Sequence, residues 1–159
     1  MMRRSSHGFS FIELIACLAI SSLLLMIALP VAETSVKRTR EGELRRSLLE
    51  IRQAIDRYKE AADAGRIQLE VGASGYPPDL QVLVDGVVDQ ASPSGRKMYF
   101  LRRIPRDPMY PGRAEDNGQT WGLRSYASPA DAPEEGDDVF DVYSLAAGVG
   151  LNGVPYRDW

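Results

Sequence analysis

Apolar residues run almost unbroken from Phe9 to Val31, after which the chain shifts to spaced apolar positions set among charges. The first segment is 23 residues long, and Glu13 is its one charged member. As a helix rising about 1.5 Å per residue it extends roughly 34 Å, enough to cross a hydrocarbon core of about 30 Å. Further on, Leu44, Leu48, Ile51, Ile55 and Tyr58 recur at spacings of four, three, four and three. That period places them on one face of a continuing helix. Charged residues fill most of the other positions from Arg40 to Glu60, with Glu41 and Arg45 at the favourable i, i+4 spacing. The apolar seam reads as a surface for the chain's own sheet, since a coiled coil needs more heptads than are present. Pro30 removes one backbone hydrogen bond and predicts a kink where the helix leaves the apolar segment. Gly65 predicts its end near Ala64, because glycine readily takes the left-handed cap conformation.

Downstream, periodicity gives way to loops. The stretch from Gly72 to Pro78 reads as a linker, and a short helix is predicted over Asp79 to Val84. Trp121 to Tyr126 and Val139 to Ser144 read as short strands, being rich in aromatic and β-branched residues. Pro105, Pro108 and Pro111 make the segment before them an extended loop.

Composition narrows the function classes. Of the 159 residues about 125 lie beyond the apolar stretch, enough for one small domain. The lone cysteine, Cys17, lies inside that stretch, so the chain forms no internal disulfide, and the lone histidine is His7. Histidine- or cysteine-based catalysis and histidine-cysteine zinc sites are therefore excluded beyond the apolar segment. An excess of acidic over basic residues, 22 against 19, argues against nucleic acid as a partner. No serine, lysine and aspartate grouping has hydrolase spacing, and the chain is expected not to be an enzyme.

Glu13 needs a reason, because a carboxylate inside a membrane span costs a few kcal/mol at mid-bilayer and marks a functional site by default. A secretory signal peptide would explain a basic leader and an apolar core, but Glu13 would interrupt that core and Pro30 would crowd a cleavage site at Ala32. A plain signal anchor explains the length without explaining Gly8 or Glu13. The order Arg3-Arg4, then Gly8-Phe9-Ser10-Phe11-Ile12-Glu13-Leu14, resembles the leader of type IV pilins and type II secretion pseudopilins. The resemblance implies cleavage by a prepilin peptidase between Gly8 and Phe9, N-methylation of Phe9, and a role for Glu13 in assembly. It also sets the orientation, which the basic residues Lys37, Arg38, Arg40, Arg45 and Arg46 after the span would by themselves reverse. Removal of residues 1–8 leaves 17 basic and 22 acidic residues.

The later half resembles major pseudopilins in its order of segments: Phe100 to Pro108, Trp121-Gly122 and Phe140 to Ser144. Type IV pilins proper usually close a C-terminal loop with a disulfide, which this chain cannot form. Major pseudopilins often bind calcium in the loop after the last strand. Here Leu145 to Gly153 carries no acid, leaving Asp141 and Asn152, with backbone carbonyls, as the nearby calcium candidates. Glu134, Glu135, Asp137 and Asp138 fail the EF-hand spacing and read as a solvated loop. Trp121 and Trp159 read as packing anchors, with a partner contact as the other reading of Trp159, and Asp107, before Pro108, reads as a turn residue. Arg102, Arg103 and Arg106 read as a solvated or carboxylate-paired face, with an inter-subunit salt bridge as the other reading.

The resemblance implies an α+β, pilin-like fold in which a long N-terminal helix, transmembrane in its first half, packs on a small antiparallel sheet with a loop-rich C-terminal region. Its parts are a leader at 1–8, a transmembrane and assembly helix at 9–31, and a periplasmic head at 32–159 whose helix runs to about 64. The implied function is that of a structural subunit of a type II secretion pseudopilus, polymerising through its N-terminal helix to drive export across the outer membrane. The alternatives are a subunit of a type IV pilus or DNA-uptake pseudopilus and, from another class, a membrane-tethered periplasmic enzyme or binding module. Implied partners are further copies of the chain, other pseudopilins, the prepilin peptidase and the inner-membrane assembly platform. No cofactor is expected, calcium being the one ion weighed.

Overall fold

A computed structural model of the protein describes residues 10–159, and within its first helix the side chains of Leu25 and of residues 27–32 lie outside that description. Helix α1 spans Phe11–Asp63, followed by the short helix α2, Val82–Asp85. Strands β1, Val87–Val88, and β2, Lys97–Met98, pair antiparallel, as do β3, Trp121–Arg124, and β4, Asp141–Ser144. Single 3-10 turns cover Asn117–Thr120 and Tyr156–Asp158. The architecture is α+β, with two separate two-stranded sheets. The chain divides into two compact units between Thr39 and Arg40.

In the second unit, Arg40–Trp159, the predicted seam is the core. Leu44, Leu48, Ile51, Ile55 and Tyr58 are all buried, together with Leu83, Leu101, Trp121, Val139, Val142 and Tyr156. The seam is covered by the chain's own strands and loops, as the periodicity implied. The helix ends as expected too. Gly65 has φ +68°, the Gly65 N–H donates to the Ala62 carbonyl (2.9 Å), and the Arg66 N–H donates to the Ala61 carbonyl (3.0 Å). This paired closure satisfies two orphan carbonyls of the last turn.

Two local results differ from expectation. The helix predicted over Asp79 to Val84 is observed at Val82–Asp85: the Leu80 carbonyl accepts only a turn bond from the Leu83 N–H (3.3 Å), the Gln81 carbonyl accepts the Asp85 N–H (2.9 Å), and the Asp79 carboxylate accepts the Val82 N–H (2.8 Å). The β1–β2 hairpin was not foreseen, since each strand is only two residues long. The strands at Trp121 and Asp141 are where the apolar pattern put them, paired Trp121 with Ser144 through Arg124 with Asp141. Gly122 faces Tyr143 across that pair, and a Cβ at Gly122 would run into the Tyr143 ring. The Trp-Gly sequence thus supplies one buried anchor and one space for a ring.

Candidate functional site

Helix α1 opens on a reciprocal cap. The Ser10 backbone N–H donates to Glu13 Oε2 (2.7 Å), and the Glu13 N–H donates to Ser10 Oγ (3.4 Å). The Ser-x-x-Glu spacing is that of a capping box, which satisfies orphan donors at a helix start and sets a carboxylate against its positive end. On sequence alone Ser10 had no role of its own; the signal for its capping role was the spacing to Glu13. Gly8 and Phe9, the expected processing pair, lie outside the described residues.

From Phe11 to Met26 the described apolar side chains are exposed, Phe11 at 79%, Leu18 at 60% and Met26 at 76%. Cys17 is exposed among them. The hydroxyl of Ser22 donates back to the Leu18 carbonyl (2.7 Å), so this polar group needs no water in an apolar setting. Among the described residues no helix is long and apolar enough to cross a membrane. Several positions of the span expected over 9–31 fall outside that description: Phe9 entirely, and Leu25 and residues 27–31 as side chains. Helix α1 continues through Pro30, whose side chain is outside the described set, as is the kink expected there.

In the head, the calcium candidates already have partners. The Arg52 guanidinium binds Asp141 Oδ1 through Nε (2.7 Å) and donates through Nη2 to the main-chain oxygens of Val142 (3.1 Å) and Trp159 (2.8 Å). The Asn152 side-chain oxygen accepts the Val154 N–H (3.1 Å) and so shapes its own loop. Among the described residues no group of three or more His, Cys, Asp or Glu side chains could hold a metal.

Two acids carry more structure than their sequence context suggested. Asp107 is fully buried, not merely a turn residue. Its Oδ1 accepts the Met109 N–H (2.7 Å) and its Oδ2 accepts the Ser144 hydroxyl (2.5 Å), while its own N–H donates to Thr120 Oγ1 (3.1 Å). The proline-rich loop is thereby tied to the end of β4. Glu41 is buried as well and accepts the Leu151 N–H (2.8 Å) and the Tyr156 hydroxyl (2.9 Å) on one oxygen. It does not pair with Arg45, whose guanidinium lies over the Trp159 ring, 4.4 Å from its centroid. A buried acceptor outcompetes a solvated ion pair worth only a few tenths of a kcal/mol. Trp121 and Trp159 anchor as expected, with the Trp121 indole donating to the Pro105 carbonyl (2.8 Å).

Burial, and then the bond to Glu41, push the Tyr156 phenol up to about 12. The folded state therefore holds this proton more tightly than the unfolded chain, whose phenol titrates near 10. The contribution is complete below pH 10 and is lost as pH climbs from 10 toward 12. Urea melts across that window should show wild type losing on the order of 2 kcal/mol more than Tyr156→Phe. Parallel losses in the two proteins would refute this origin. At the other end of the head, the Arg66 guanidinium beside Asp89 holds that carboxyl below its ordinary range and fixes the turn after α1 against β1.

Arg102, Arg103 and Arg106 are exposed, and none of them takes part in the ion pairs Arg52–Asp141, Lys59–Asp63, Arg66–Asp89 and Arg157–Asp158. Neither the curated proteins nor the solved structures compared with this chain gave a match. Residues 3–29, about a sixth of the chain, match the family model described as the prokaryotic N-terminal methylation motif.

Proposed function

We propose that this protein is a type II secretion pseudopilin: a structural subunit whose leader, residues 1–8, is removed by a prepilin peptidase. Phe9 becomes the methylated first residue, residues 9–31 anchor the chain in the inner membrane, and the head at 32–159 lies in the periplasm. The observation that carries the reading is the methylation motif over residues 3–29, which contains Gly8, Phe9 and Glu13 in the order such processing needs. A helix whose apolar side chains are exposed at its start, with its hydroxyl and carboxylate satisfied internally, supports assembly through that helix. The absence of a head cysteine favours a secretion pseudopilus over a pilus subunit.

The experiment is an intact-mass measurement on membrane-extracted protein. Loss of Met1 to Gly8 plus one methyl group is expected. A chain starting at Glu33 would mean ordinary signal peptidase and would end this reading. A deletion strain then separates the systems: lost export of secreted proteins supports a secretion pseudopilus, whereas lost surface pili or lost DNA uptake assigns the subunit elsewhere.

The head is proposed to work without calcium. The Arg52 guanidinium already occupies Asp141 and two main-chain oxygens, and calcium needs six to eight oxygens with several carboxylates among them. Thermal melts in calcium and in chelator should coincide within a degree or two. A rise of many degrees at sub-millimolar calcium would overturn the proposal.

A further inference from the structure

The head keeps its unpaired charges apart. Arg102 and Arg103 have no hydrogen-bond or ion-pair partner among the described residues, and Arg106 donates only to the Gly112 carbonyl of its own loop. Arg103 and Arg106 line a shallow cleft of about 370 Å³ with Ile104, Pro105 and Asn117. Glu50 shares the cleft, which still keeps a net positive charge. The cleft is rigid, because Ile104 is buried, its carbonyl accepts the Asn117 amide (2.9 Å), and the Pro105 carbonyl accepts the Trp121 indole.

The exposed acids Glu134, Glu135 and Asp137 stand at the other end of the β3–β4 pair. There the Ser125 N–H donates to the Glu134 carbonyl (2.9 Å) and the Tyr126 N–H to Asp138 Oδ1 (2.8 Å). From Trp121, which holds the cleft, to Ser125, which holds the acids, is roughly 13 Å of extended strand. Within one copy none of these acids forms an ion pair with Arg103 or Arg106.

We propose that the Arg103–Arg106 cleft docks the Glu134–Asp137 segment of a second copy of this chain. The proposal rests on the filament-subunit reading and adds a contact between heads. Complementary surfaces at the two ends of the β3–β4 pair make a heterologous contact, in which each docked copy still offers a free surface of each sign. Such contacts close into rings where the rotation allows it and otherwise propagate into open filaments. Both surfaces are already held by internal hydrogen bonds, so little ordering entropy is lost on docking.

The test uses full-length protein in membranes, with the only native thiol removed by Cys17→Ala. Arg103→Cys combined with Glu135→Cys should give a disulfide ladder of dimers and higher species on mild oxidation, while either cysteine alone should not give a ladder. Arg103→Glu with Arg106→Glu should weaken filament yield at least ten-fold, as should Glu135→Arg with Asp137→Arg. Combining the two reversals in one chain should restore assembly, a rescue that misfolded heads could not show. Filaments that form regardless of these charges, without a ladder, would overturn the docking and leave the filament reading standing. No filaments from wild-type protein, together with no ladder from the double-cysteine variant, would overturn both.

Discussion

Replacing Asp107 by alanine is expected to destabilise the protein by about 3–5 kcal/mol. The carboxylate has no exposed surface, and its two oxygens accept from the Met109 N–H and the Ser144 hydroxyl. Hydrogen bonds to a charged acceptor are worth about 1.5–3 kcal/mol each, and removing the acceptor leaves the buried Ser144 hydroxyl and the half-buried Met109 N–H without it. The Ser144 hydroxyl also accepts the Ala146 N–H (3.1 Å), so the disturbance reaches the loop after β4. Against a total stability of about 5–15 kcal/mol, the loss is a large fraction. Asp107→Asn keeps the shape but turns an NH₂ toward one of the two donors, and should fall between wild type and alanine. Asp79→Ala, which removes an exposed cap from α2, should cost only about 1 kcal/mol. Urea melts of the purified protein measure all three. A cost below 1 kcal/mol for Asp107→Ala would show that the loop is held mainly by the Trp121 indole.

What the sequence made legible was what depends on neighbours along the chain. The Leu44–Tyr58 seam was readable because a 3.6-residue period implies one face, and all five residues are buried. Gly65 was readable because a helix cap needs a left-handed residue close by. The strands at Trp121 and Asp141 were readable from β-branched and aromatic clustering. By contrast, the roles of Asp107 and Glu41 depend on partners 37 and 115 positions away, Ser144 and Tyr156. Locally, Asp107 before Pro108 has every mark of a turn, and Glu41 four residues before Arg45 has every mark of a solvated pair. Arg52, which ties α1 to Asp141 and Trp159, was hidden among the charges of a polar helix face for the same reason. The β1–β2 hairpin escaped because two valines carry no period, and Gly86 is needed there for φ +71° and for room beside Tyr99. The Ser10–Glu13 cap is different. Its signal, a serine and a glutamate three positions apart, lies wholly within the local sequence.

That cap sharpens the second large prediction, which concerns what Glu13 does in assembly. Within one copy its carboxylate accepts the Ser10 N–H at the positive end of α1. Processing would give Phe9, four residues before Glu13 in the sequence, a cationic amine at the start of the apolar stretch. In a filament the carboxylate of one copy can instead meet the amine of the next, fixing the axial register between them. Two charges facing lipid are then satisfied together; a carboxylate costs about 2.5–3.5 kcal/mol at a helix centre and less near an end, where Glu13 stands. At 1.4 kcal/mol per factor of ten, losing the pairing should weaken each subunit addition by about ten-fold or more, with roughly a hundred-fold as the ceiling. Glu13→Leu should therefore insert, be cleaved and accumulate normally, yet fail to form filaments. Glu13→Gln separates the two roles, because glutamine also closes a capping box but carries no charge. If the charge serves assembly, Glu13→Gln fails as Glu13→Leu does, although its helix start remains capped. Filaments from Glu13→Gln at wild-type yield, with Glu13→Leu alone defective, would reduce Glu13 to a cap on its own helix. Filaments from both variants would remove Glu13 from assembly altogether.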